Sequence, residues 1–104
     1  MKHFLIKYHF AAGSQEDWRR DIARFTAAIE ADPVLKGRIS YRCMKANNES
    51  GDYYHLAATA DDEAAKALQE RDFFKTYSAE MKRVSAQSVE VVPLAIVAET
   101  AFRP

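Results

Sequence analysis

The sequence predicts an α+β fold: a four-stranded antiparallel sheet with two helices on one face. Three observations predict it. Apolar residues alternate with period two in four short runs, and they form period-3.6 stripes in two longer runs. The order of these runs over 104 residues is strand–helix–strand–strand–helix–strand. Two right-handed β-α-β units of that order give the sheet order 4-1-3-2 and place both helices on the same side, a ferredoxin-like βαββαβ sandwich. A chain of this length forms one domain, residues 1–104.

The first strand runs from His3 to Phe10. Phe4, Ile6, Tyr8 and Phe10 share the face expected to meet the core, and His3, Leu5, Lys7 and His9 share the other. Ala11-Ala12-Gly13 ends it, and Ser14 is placed to cap a helix that carries Glu16 and Asp17 in its first turn. That helix extends from Gln15 to Ala31 with an apolar stripe of Trp18, Ile22, Phe25 and Ile29. Asp32-Pro33 stops it, because a residue before proline is driven out of the α region.

The second strand, Arg38 to Ala46, sets Ile39, Tyr41 and Cys43 against Ser40, Arg42 and Met44. A polar loop, Asn47 to Asp52, turns the chain into the third strand, Tyr53 to Ala60. Tyr54, Leu56 and Ala58 are expected to face the helices there, with Tyr53, His55, Ala57 and Thr59 pointing away. Asp61 or Asp62 caps the second helix, whose buried side starts with Ala64, Ala65 and Leu68 and continues with Phe74, Tyr77, Met81 and Val84. Arg71-Asp72 marks an irregular turn within it, with Asp72 recapping the second half. The last strand, Ser88 to about Ala98, contains Pro93 and is therefore expected at an edge or with a bulge. The change of parity between Val89/Val91 and Leu94/Ile96 favours the bulge. Ala101 to Pro104 is a tail.

Lys and Arg number 15, as do Asp and Glu, and the basic residues are scattered. A neutral chain lacks the electrostatic footprint of a nucleic-acid binder. The longest apolar stretch, Val91 to Ala98, is too short to span a bilayer, and the apolar start is interrupted too early for a signal peptide. A cytoplasmic location is the expectation. Cys43 is the single cysteine, so no internal disulfide and no cysteine-rich zinc site can form.

The bare face of the sheet is expected to gather Lys7, His9, Arg42, His55 and Glu90 among apolar neighbours. A partly apolar bare face implies a partner, and a homodimer through this face is expected. His9 and His55 are the acid/base candidates, since imidazole titrates near neutrality. Arg42 and Lys7 are candidate anchors for an anionic or phenolic ligand. The competing reading makes these residues ion pairs, for example Lys7 with Glu90. Tyr8, Tyr41 and Tyr54 are expected to face the core and to line an aromatic pocket beneath the helices, or simply to fill it. No metal-ligand spacing, phosphate loop or cofactor motif is present, and Cys43 reads as a core thiol.

The element order, with Thr59-Ala60-Asp61-Asp62-Glu63-Ala64 followed by Phe73-Phe74-Lys75-Thr76-Tyr77, resembles the dimeric α/β-barrel superfamily, nearest its antibiotic-biosynthesis-monooxygenase-like branch. The resemblance implies a cofactor-independent monooxygenase acting on a phenol or quinol. Aligned on Phe74 and Tyr77, Thr59 takes the position of that group's frequent tryptophan and Leu68 that of its histidine, so no catalytic residue carries over. The competing functions are a non-catalytic ligand-binding or regulatory dimer, or a barrel-type isomerase or lyase.

Overall fold

The structure, a computed structural model, describes residues 1–102; the last two positions of the expected tail lie outside the described residues. Its elements are β1 (Lys2–His9), α1 (Gln15–Ala31), β2 (Ile39–Lys45), β3 (Asp52–Thr59), α2 (Asp62–Glu70), α3 (Asp72–Val84) and β4 (Glu90–Leu94). The sheet is antiparallel throughout with order β2-β3-β1-β4, the expected 4-1-3-2 read from the other edge.

The helix boundaries follow from capping chemistry. Ser14 Oγ accepts the Asp17 N–H at 3.2 Å, as its position before the acidic first turn implies. Asp32 closes α1 in an extended conformation and accepts the Val34 N–H at 2.9 Å. Asp61 caps α2 by accepting the Ala64 N–H at 2.8 Å, and it also takes the Arg38 guanidinium at 2.7 and 2.8 Å. The irregular turn in the second helical run is a full break. Arg71 is extended (φ −74°, ψ 135°), and its Nε donates to Asp32 Oδ2 at 2.8 Å. Asp72 does not recap: α3 has no side-chain cap hydrogen bond, and Asp72 sits inside the first turn, where only its charge favours the helix start.

Strand β3 faces the opposite way to the expectation. Tyr53 and His55 are buried against the helices, whereas Tyr54 and Leu56 are each 38% exposed on the bare face. The hairpin dictates this. Lys45 pairs with Tyr53 and Cys43 with His55, so the parity that buries Ile39, Tyr41 and Cys43 also buries Tyr53 and His55. Counting apolar residues points the other way, because it treats a histidine as a surface residue.

Strand β4 is an edge strand, as Pro93 requires. It has no bulge: its register runs without a skip from Lys7↔Glu90 to His3↔Leu94. The parity change instead divides the faces, with Val91 opposite Ile6 on the helix side and Leu94 opposite His3 on the bare side. The strand ends at Leu94, shorter than the sequence pattern implies.

The core lies between sheet and helices. Trp18, Phe25 and Ile29 of α1 meet Tyr8 and Tyr53 of the sheet and Leu68, Tyr77 and Met81 of α2 and α3. No helix of the described residues is long and apolar enough to cross a membrane. The capping role of Asp61 makes a simple test. Asp61→Ala is expected to lower the unfolding free energy by about 1 kcal/mol, and Asp61→Asn, which still caps, by much less. Urea denaturation followed by circular dichroism measures both.

Candidate active site beneath the helices

His55 is fully buried (0% exposed) in mid-strand, and its two ring nitrogens organise the polar part of the core. On one side Trp18 Nε1 donates to Tyr8 Oη at 2.8 Å, and Tyr8 Oη lies 2.9 Å from His55 Nε2. On the other, Tyr41 Oη and Tyr77 Oη lie 2.8 and 3.3 Å from His55 Nδ1, and 3.2 Å from each other. Strands and helices converge here: Tyr8 comes from β1, Tyr41 from β2, His55 from β3, Trp18 from α1 and Tyr77 from α3.

Hydrogen counting assigns the tautomer. An indole N–H can only donate, so Tyr8 accepts from Trp18, and only by donating to His55 Nε2 does its own hydrogen find a partner. With that tautomer Nδ1 carries the ring hydrogen and donates to Tyr41, which lies within hydrogen-bond distance of Tyr77. Both ring nitrogens have partners, and every member is neutral. Burial pushes the His55 pKa down to about 4 and holds the Tyr8, Tyr41 and Tyr77 hydroxyls well above the ordinary tyrosine range. Burial also raises Cys43 to about 11, so the thiol is inert at neutral pH, as its core position implies.

An aromatic groove opens beside this network. It lies between α1 and α3, has a volume of about 360 Å3, and is lined by Phe25, Phe73 and Tyr77 with Asp21, Arg24 and Glu80 among its polar residues. Tyr77 belongs to both. Its ring stacks on Phe25 at a centroid distance of 3.8 Å and on Trp18 at 5.3 Å, while its hydroxyl reaches His55. A planar molecule in the groove would therefore meet Phe25, Phe73 and the Tyr77 ring, whose hydroxyl lies inside the core against His55.

The predicted site residues divide between the two faces. Tyr8, Tyr41 and His55 come together, His55 on the side opposite to the one expected. Tyr54 does not join them and faces outward. His9 and His55 do not approach: His9 stands on the bare face, its Nδ1 3.1 Å from Asp52 Oδ1, while His55 pairs across the sheet with Ile6. Lys7 forms an ion pair with Glu90 at 3.5 Å, and Arg42 lies exposed on the same face. Sequence reasoning placed Trp18 and Tyr77 in the helix stripes over the core tyrosines and gave neither a polar role. The signal for their wider role was their polar atoms, since a buried indole N–H or phenol needs a partner.

No family model and no curated protein matches the chain. Solved structures do. A Caulobacter crescentus protein provisionally assigned as an antibiotic biosynthesis monooxygenase superposes with a TM-score of 0.77 at 18% identity, over 93% of this chain and 90% of that one. A mutant form of SnoaB, a cofactor-independent oxygenase from Streptomyces nogalater, gives 0.72 at 13% identity, over 94% of this chain and 95% of its own. The chain has the antibiotic-biosynthesis-monooxygenase-like fold. A Nitrosomonas europaea protein with the same provisional assignment gives 0.76 at 11% identity, covering 94% of this chain and all of its own. At these identities the fold is shared and the side chains of the site are this chain's own.

The buried imidazole sets the acid stability. Its folded pKa, about 4, lies below the 6.5 of a free histidine, so the unfolded chain binds the extra proton between those values. Stability contributed by the neutral ring is complete above pH 6.5 and is lost as pH falls toward 4. The loss should approach about 3 kcal/mol by the lower limit. Urea titrations at several pH values check this, and His55→Gln should be less stable at pH 7 yet lose this histidine's part of the slope.

Proposed function

We propose that this protein is a cofactor-independent, monooxygenase-like enzyme acting on a small phenol or quinol. The observation that carries the reading is the junction at Tyr77, where an aromatic groove meets a buried, neutral Tyr–His–Tyr network. In this chemistry the substrate itself reduces dioxygen after losing a proton, and the protein supplies orientation, shielding and stabilisation of the developing oxyanion. Stacking against Phe25 and Phe73 would orient the ring. Tyr77 would be the phenol that donates to the substrate oxygen, with Tyr41 and His55 holding it in place. Because His55 is a weak base here, the network's main contribution is neutral donors aimed at the substrate oxygen, and the imidazole orients them.

A second reading is a non-catalytic ligand-binding or regulatory dimer on the same scaffold. Thr59 and Leu68, at the positions where the resembled enzymes often carry tryptophan and histidine, are buried packing residues and favour it. Oxygen-uptake assays with anthrone- and quinol-type compounds separate the two. Turnover that Tyr77→Phe lowers about tenfold or more supports the enzyme. A compound that raises the melting temperature and is never converted supports the binder.

We also propose that two copies pair through the bare sheet face. Met44, Tyr54, Leu56 and Leu94 present an apolar band there, each about two-fifths exposed. Sedimentation velocity should give a dimer at micromolar concentration, and Leu56→Arg should shift it toward monomer. A wild-type monomer under those conditions sinks the assembly.

A further inference from the structure

The groove between α1 and α3 has two unlike ends. Helix α1 lines it with Asp21, Phe25 and Ala28, and α3 with Phe73, Tyr77 and Glu80. Each set has the i, i+4, i+7 spacing of a single helix face. The Ala11 and Ala12 N–H groups donate to the Val84 carbonyl at 2.7 and 3.0 Å, which sets the start of α1 beside the end of α3. The two helices therefore run antiparallel. Asp21 and Glu80 share one end of the groove, and Ala28 and Phe73 line the other. The Arg83 guanidinium registers both acids: it is held above its usual range chiefly by Glu80, and Asp21 adds to the effect.

Both carboxylates have arginine partners, Asp21 with Arg24 at 3.3 Å and Glu80 with Arg83. The members of each pair are placed differently. The Asp21 and Glu80 side chains are 35% and 30% exposed, while those of Arg24 and Arg83 are 77% and 62% exposed. The acids are set into the groove, and the guanidinium groups stand out in water. Exposed pairs one helical turn apart contribute only about 0–1 kcal/mol, so a cation held in place by a bound ring can displace one partner.

We propose that the groove selects a phenol or quinol that carries a basic amino arm. The ring lies against Phe25 and Phe73, and the ammonium reaches the carboxylates of Asp21 and Glu80 at the acidic end. A carboxylate arm would meet two like charges there. The one lining cation among the described residues, Arg24, is already paired with Asp21. The proposal deepens the reading of the groove as a substrate site and rests on it, but it concerns which molecule binds, and turnover is a separate property.

The test is calorimetric titration of the full chain at low salt with tyramine, tyrosol and 4-hydroxyphenylacetate, three phenols that differ mainly in the charge of the arm. Tyramine is expected to bind about fivefold or more tighter than tyrosol, and 4-hydroxyphenylacetate weakest. The preference should shrink in about 1 M NaCl, because the acids are partly exposed. Glu80→Gln and Asp21→Asn should each bring tyramine toward tyrosol, and an unchanged tyrosol affinity reports that the groove is intact. Equal binding of tyramine and tyrosol, tighter binding of 4-hydroxyphenylacetate, or a tyramine preference that survives both substitutions overturns the proposal alone. No saturable binding of any of the three overturns the groove as a phenol site and the proposal with it. A tyramine preference without oxygen uptake on any phenol supports the selectivity and removes the enzyme.

Discussion

The interior is organised by the need to satisfy one imidazole. His55 is withdrawn completely from water, and a buried polar ring without partners would be expensive. Both its nitrogens are met by phenols, and those phenols come from three other elements. The requirement therefore fixes more than one contact. It sets which face of β3 turns inward, how α3 is rotated to present Tyr77, and why Trp18 stands where its indole can complete the hydrogen count at Tyr8. Packing alone could be satisfied by several arrangements of similar volume; a complete chain of donors and acceptors narrows them sharply.

That same requirement explains what was legible in the sequence. Helix α1 was readable to the residue, because Ser14, the acidic first turn and Asp32-Pro33 are local signals whose physics acts within a few residues. The sheet order followed from the handedness of β-α-β units, which is nearly invariant. The facing of β3 was not readable, because Tyr53-His55 and Tyr54-Leu56 differ by a hydrophobicity argument that ignores partners from distant strands. Tyr8 and Tyr41 were assigned correctly to the interior, whereas the placement of His55 beside His9 on the bare face failed with the facing of β3. The break at Arg71 was visible as a charged dipeptide in an apolar pattern. Its reach to Asp32 was not visible, since it spans a separation that no local pattern encodes.

The two faces of the sheet consequently offer different chemistry. The covered face is neutral, aromatic and hydrogen-bonded, suited to a planar molecule whose charge appears only during reaction. The bare face carries fixed charges among exposed aliphatic side chains, and there Lys7 and Glu90 already neutralise one another. Such a division lets a small sheet keep a preorganised interior while its outer surface remains free for partners and ions. The fold shared with SnoaB and its structural neighbours supplies the scaffold for both, and the particular phenols belong to this chain.

The break at Arg71 has a consequence for how the groove comes into being. It divides the second helical layer into segments of nine and thirteen residues. Isolated helices shorter than about 12–15 residues are marginal in water. Helix α3, one wall of the groove, consequently gains its order from docking on the sheet through Tyr77 and Met81 and does not bring it along. Folding and assembly of the groove are then a single cooperative event. Order in the groove wall therefore depends on the same contacts that close the core.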